Sequence, residues 1–206
     1  MDSLENALNA TGASKYRATR FNLASFRGAA GFDLRHKATA GYVLALPLFR
    51  THWLLNAVVG GWAHSGIVTV DSGLPYYVAL TTDNENIGTS SGQFPNIVGN
   101  AALSHRTITQ WFNTSAFVLP PYGTAGNLGK HAYYSQHLFN WDSSISKSWE
   151  VFNEPQFIEF RVDSFNTFNS HSFSAPGSQF GTSKFGKISA TRQPGRELQF
   201  SLKLNF

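Results

Sequence analysis

The chain has 206 residues, of which 14% are charged and 15% aromatic, and it contains no cysteine; disulfide frameworks and thiolate chemistry are thereby excluded. A charge content well below the usual quarter of a soluble domain, joined to many aromatics, excludes disorder and suits an all-β protein, membrane barrels with aromatic girdles in particular. The net charge of +4 comes from scattered side chains whose longest cluster is Arg35-His36-Lys37, so there is no basic stripe and nucleic acid is not an expected partner.

Residues 1–35 are small and polar and read as loop, with a short helical turn near Leu4–Leu8. No run reaches the 18 apolar residues of a membrane helix. Met1–Asn6 is acidic and polar where an export signal needs a basic segment and an apolar core. A soluble protein of this kind would be cytoplasmic; a barrel would have its signal upstream of Met1.

Residues 36–71 read as a strand pair. In the first strand Ala38, Ala40, Tyr42 and Leu44 alternate with Lys37, Thr39, Gly41 and Val43, and Pro47 ends it by withholding a backbone donor. After a short connection at Phe49–Trp53, the second strand runs from about Val59 to Asp71. Trp62, Gly66, Val68 and Val70 lie on its outer face and Ser65, Ile67, Thr69 and Asp71 on its inner face.

Residues 72–137 are irregular, rich in Thr, Asn, Gly, Ser and Pro and punctuated by aromatics. So long a loop argues against a compact soluble domain but is expected on the extracellular side of a membrane barrel. A second strand pair spans 138–166. Its first strand sets Asn140, Asp142, Ser144 and Ser146 against Trp141, Ser143, Ile145 and Trp149, with Lys147 as an exception on the apolar face. In its second strand Glu159, Arg161 and Asp163 alternate with Ile158, Phe160 and Val162. A polar lumen satisfies three charges on one face, whereas the interior of a soluble sandwich does not. Asn140, Asp142, Glu159, Arg161 and Asp163 are therefore the expected lumen-lining residues.

Residues 167–195 form another loop, and 196–206 the terminal strand, with Leu198, Phe200, Leu202, Leu204 and Phe206 on one face and Gln199, Ser201, Lys203 and Asn205 on the other. The chain is thus expected to be all-β, an antiparallel meander of about five long strands with alternating long and short connections. Its architecture is that of an open segment of a transmembrane β-barrel with long extracellular loops. The alternative is a soluble β-sandwich binding module, carbohydrate-binding or adhesive, with 72–137 as its recognition loop.

The residues do not spell an enzyme, a cofactor site or a metal site. His131 and His137 lack zinc-site spacing, and Gly123–Lys130 departs from a phosphate loop because Thr124 and His131 occupy required Gly and Ser/Thr positions. Asp83-Asn84-Glu85-Asn86 looks like half a calcium loop, but Ile87 sits at a ligand position. Trp111, Phe112, Tyr133 and Tyr134 could take an apolar or sugar ligand, though self-packing of the loop is the plainer reading.

Five blocks carry a family resemblance: GFDLRHKATAGYVLALP (31–47), GGWAHSGIVTVDSGLPY (60–76), WFNTSAFVLPPYGTAGNLGK (111–130), FRVDSFNTFNSHSF (160–173) and FGKISATRQPGRELQFSLKLNF (185–206). In this order they resemble the carboxy-terminal part of Oar-like TonB-dependent outer-membrane transporters, a group with a carboxypeptidase-regulatory-like family context. The resemblance implies a barrel of about 22 strands with an amino-terminal plug. It also implies location in the outer membrane and uptake of a large nutrient (siderophore, saccharide or peptide). The implied partners are outer-membrane lipid, the barrel assembly machinery, and TonB through an amino-terminal region absent from this sequence. Phe200, Leu202, Leu204 and Phe206 match the family's carboxy-terminal assembly signal. A chain holding only this part is expected to be a fragment inactive by itself.

Overall fold

The computed structural model describes residues 27–47, 53–150 and 156–205. In chain order its elements are β1 (Lys37–Ala45), α1 (Trp53–Val58), β2 (Trp62–Asp71), β3 (Pro75–Tyr76), β4 (Ala79–Leu80) and β5 (Asn96–Ile97). A 3-10 turn (Thr114–Ala116) follows, then β6 (Phe117–Val118), β7 (Tyr133–Tyr134), β8 (Leu138–Glu150), β9 (Phe157–Phe165), β10 (Gln179–Phe180) and β11 (Glu197–Asn205). They divide into two units. The sheet unit comprises His36–Asp71, Leu138–Ser172 and Gln193–Phe206; the loop unit comprises Met1–Arg35, Ser72–His137 and Phe173–Arg192.

The sheet unit is a five-stranded antiparallel meander in the order β1-β2-β8-β9-β11. Four of its strands are 9 or 10 residues long and β8 is 13, the length that crosses a bilayer at a tilt of about 45°. One continuous register runs through the set: Tyr42 pairs with Gly66, Gly66 with Ser143, Ser143 with Ser164 and Ser164 with Leu198. A slip of one residue in any strand would exchange its faces. Gly66 permits the crossing of Tyr42 and Trp141, since a Cβ there would lie 2.7 Å from the Tyr42 hydroxyl and 2.8 Å from the Trp141 indole nitrogen.

Two local readings of the sequence change. The connection after β1 contains helix α1, so the second strand starts at Trp62 rather than Val59. Six residues are too few to show a helical period, and Gly61, at φ 71, adopts a left-handed conformation just past the helix end. Residues 72–137 carry only two-residue ladders, yet they do not form a loose loop. Together with 173–192 they enclose an apolar core of Tyr76, Val78, Ala101, Phe112, Ala116 and Phe117, with Trp111, Tyr133, Phe180 and Phe185 packed on it. Phe112 and Phe117 each meet Phe185 edge to face, with centroids 5.1 and 5.7 Å apart, a favoured geometry for aromatic pairs. The helical turn expected near Leu4–Leu8 lies outside the described residues, as do residues 151–155 between the strands of the second pair.

Candidate functional site

Because cross-strand partners share a face, the register assigns every long-strand residue to one of two surfaces. One surface carries Tyr42, Leu44, Trp62, Val68, Val70, Trp141, Ile145, Trp149, Ile158, Phe160, Val162, Leu198, Phe200, Leu202 and Leu204. The other carries Lys37, Thr39, Ser65, Thr69, Asp71, Asn140, Asp142, Ser144, Ser146, Glu159, Arg161, Asp163, Gln199, Ser201 and Lys203, with Ile67, Phe157 and Phe165 among its few apolar members.

All five residues expected to line a lumen fall on the polar surface. Arg161 donates through Nε to both carboxylate oxygens of Asp163, at 2.9 and 3.0 Å, and its Nη2 lies 2.9 Å from Oδ1. Glu159 stands opposite Lys203, Arg161 opposite Ser201 and Asp163 opposite Gln199. Asp142 has a structural partner set: it accepts from Asn140 Nδ2 at 2.9 Å and from the Asn166 amide at 2.8 Å. Asn166, at φ 50, then ties the end of β9 to Ser170 and Pro194. Asp142, Ser144, Arg161 and Asp163 help line a groove of about 480 Å³ on the sheet unit.

Aromatic residues mark both ends of the apolar surface. Trp62, Trp149 and Phe160 cluster towards the end where β1 leads to β2 and β8 to β9, with centroid separations of 6.3 Å. Phe139, Trp141 and Phe168 cluster towards the opposite end. Phe139 and Trp149 are about 34 Å apart along β8 at 3.4 Å per residue, a height of about 26 Å at a 40° tilt, matching the apolar band of a membrane barrel. Between them Trp141 Nε1 donates to the Tyr42 hydroxyl at 3.1 Å, and that hydroxyl lies 3.3 Å from His64 Nε2. These polar atoms thus satisfy one another on the apolar side.

Of the expected assembly residues, Phe200, Leu202 and Leu204 lie on one face of β11, 66%, 72% and 58% exposed; Phe206 lies outside the described residues. β11 pairs with β9 alone, so its other edge is open among the described residues. Lys147, the exception in the sequence pattern, is buried against backbone carbonyls around the end of α1. The sequence flagged the residue but held no sign of its partner.

The loop unit has a cavity of about 290 Å³ lined by Tyr76, Asn100, Arg106, Trp111, Phe112, His131, Tyr133 and Tyr134 among others. All four loop aromatics singled out in the sequence line it, although Phe112 also belongs to the core. The Arg106 guanidinium lies 5.6 Å from the Trp111 ring centroid, and the His131 and Tyr133 rings are 4.8 Å apart. Burial pushes the Tyr76 phenol well above its usual range and the Tyr133 phenol in the same direction, so both remain protonated donors. The buried Tyr134 phenol oxygen has no hydrogen-bond partner among the described residues.

Asp83–Asn86 has a role that does not need a cation. Asp83 accepts from Gln93 Nε2 at 2.6 Å and from the amides of Ile87 and Gly88 at 3.1 and 2.7 Å. Gln93 is only 1% exposed, and its Oε1 accepts from the Asn84 and Glu85 amides. The Gln93 hydrogen bond, reinforced by the backbone donors, holds the Asp83 carboxyl below the usual range.

A family model described as an outer membrane beta barrel domain matches residues 1–199. Comparisons with curated proteins and with solved structures found no match. Among the described residues no helix is long and apolar enough to cross a membrane, which leaves crossing by strands untouched. The two-faced antiparallel sheet and the nearly chain-long match agree: this chain belongs to the outer membrane beta barrel domain family, and its place is the outer membrane.

Proposed function

We propose that the chain forms part of the wall and outer loops of a TonB-dependent transporter, similar to the Oar-like group, which takes up a large nutrient. The observation carrying this reading is the one register that sorts five strands into an apolar and a polar surface while leaving β1 and β11 each with an open edge among the described residues. Five strands cannot close a membrane barrel, whose smallest form has eight, and an open edge in lipid leaves backbone groups unpaired at several kcal/mol each. Further strands therefore complete the wall, and the chain alone transports nothing. The apolar surface meets lipid. Asn140, Asp142, Glu159, Arg161 and Asp163 line the water-filled interior.

In this account β11 offers its open edge to the assembly machinery by strand addition, with Phe200, Leu202, Leu204 and Phe206 selecting the face. TonB engages a plug-bearing region outside this sequence. The loop unit presents the ligand surface, and its cavity of aromatic rings, phenols and Arg106 suits a ring-bearing polar ligand such as a saccharide among the expected nutrients. In this role the chain performs no catalysis and takes no cofactor. A soluble sandwich would have to hide the apolar surface, yet Leu44, Ile145, Phe200 and Leu202 are all more than 40% exposed.

The test is uptake of fluorescent oligosaccharides, siderophores and peptides by cells carrying the complete barrel, with and without TonB. TonB-dependent accumulation of one of these classes supports the reading. Accumulation unchanged by loss of TonB, or none for any class with the barrel correctly assembled, contradicts it.

A further inference from the structure

Lys147 projects from the apolar surface of the sheet, sharing a face with Ile145 and Trp149. An ammonium facing hydrocarbon there would be destabilising. Instead the side chain is 4% exposed, and Nζ donates to the carbonyls of Asn56 at 2.7 Å, Ala57 at 2.8 Å and Gly60 at 2.5 Å. An ammonium has three donors, and all three are used. Asn56 and Ala57 belong to α1 and Gly60 follows it, so the cation sits at the negative end of the helix.

Two indoles from the same surface join it. Trp149 Nε1 donates to Ala57 at 3.0 Å and Trp62 Nε1 to Val58 at 2.8 Å, while Nζ lies 5.4 and 5.8 Å from the two ring centroids. Since Lys147, Trp62 and Trp149 all project from the apolar surface, they hold the end of α1 on that side of the sheet. That is the lipid side of an outer membrane barrel. The outward residues of this segment are apolar: Leu54 and Val58, one helical turn apart, are 61% and 67% exposed, and neighbouring Val59 is 49% exposed.

We infer that α1 is an interfacial anchor. Leu54, Val58 and Val59 insert among phospholipid acyl chains at the headgroup boundary, in the leaflet at the end where β1 leads to β2 and β8 to β9. The occupant is lipid because this segment continues the lipid-facing surface, and because tryptophans such as Trp62 and Trp149 settle at that depth. The Lys147 cap lets a helix terminus lie there without orphaned carbonyls. The inference rests on the family and on the geometry of the sheet unit, not on transport.

A single environment-sensitive fluorophore at Val58→Cys tests this in the complete barrel, kept free of other cysteines as this chain is and reconstituted in phosphatidylcholine vesicles. Leu202→Cys serves as the inserted reference and Ile108→Cys, in the loop unit, as the aqueous one. With insertion verified by lipid quenching at position 202, the label at 58 is expected to be quenched by a shallow nitroxide lipid and to lose the iodide quenching seen at 108. Iodide quenching equal to that at 108 would overturn the inference, and so would a label reached by neither quencher, which would mean a protein partner covers the helix. In a chain also carrying Lys147→Met, lipid quenching at 58 should fall while that at 202 persists; unchanged quenching at 58 would remove Lys147 from the account.

Discussion

In the loop unit the buried apolar residues include Val78, Phe94, Phe112, Ala116 and Phe117, whereas in the sheet unit the buried side chains include Asp71, Ser144, Lys147 and Asn166. The sheet unit meanwhile exposes Leu198, Phe200, Leu202 and Leu204 at 56–72%. The same chemistry produces both arrangements, because apolar area leaves water wherever an apolar phase is available. The loop unit makes that phase from its own aromatics; in the proposed barrel the strands use the bilayer. On that proposal one sequence holds a water-adapted part and a lipid-adapted part.

This contrast makes opposite predictions for the two units. The largest effect is expected for Phe112→Ala, which removes a ring stacked on Tyr76 and edge-on to Phe117 and Phe185. It should destabilise the loop unit by about 3–5 kcal/mol, read as lost amide protection in 72–137 with protection of the long strands retained. Next comes a matched pair on β11. Phe200→Lys should cost about 2–4 kcal/mol in a bilayer, whereas Gln199→Lys, opposite Asp163, should change stability by less than about 1 kcal/mol. Denaturant titration in vesicles compares them, and equal costs would abolish the distinction between the surfaces.

Gln93→Leu comes third. It strands the Glu85 amide, leaves the Asn84 amide only the Thr82 carbonyl, and removes a donor from Asp83, with an expected loss of about 1–3 kcal/mol local to the loop unit. The same site has a pH signature. The folded state depresses the Asp83 pKa, so its contribution is present above the ordinary carboxylate range and lost only as pH falls through the lower folded value. Glu85 is pushed the other way, by burial and then by the Asp83 charge, and a Glu85→Gln background isolates the Asp83 signal. Amide protection at Ile87 and Gly88 should survive acidification through the usual carboxylate range, and its loss should move to higher pH in Gln93→Leu. The smallest effect is expected for Arg161→Gln: the Arg161 side chain is 49% exposed, and its pair with Asp163 contributes about 0–1 kcal/mol.

What the sequence made legible follows the range of the interactions involved. The alternation of Leu198–Phe206 and of Glu159, Arg161 and Asp163 is local, because consecutive strand residues point to opposite faces whatever lies beside them. Five such strands and their two surfaces were therefore readable. The loop core was not, because its contacts join residues far apart, as Phe112 with Phe185 and Trp111 with Phe173, through ladders of two residues. Helix α1 was too short to show a period, and Lys147 was visible only as an exception. Its meaning depends on carbonyls 87 to 91 positions earlier in the chain.

The most direct test of the account is a spin-label scan of β11 in the assembled, vesicle-reconstituted barrel, one cysteine at a time from Leu198 to Asn205. Collision with dissolved oxygen should peak at Leu198, Phe200, Leu202 and Leu204, and collision with a water-soluble nickel chelate at Gln199, Ser201, Lys203 and Asn205. Two accessibilities that rise and fall together, or that alternate in the reverse phase, would contradict the assignment of the apolar surface to lipid.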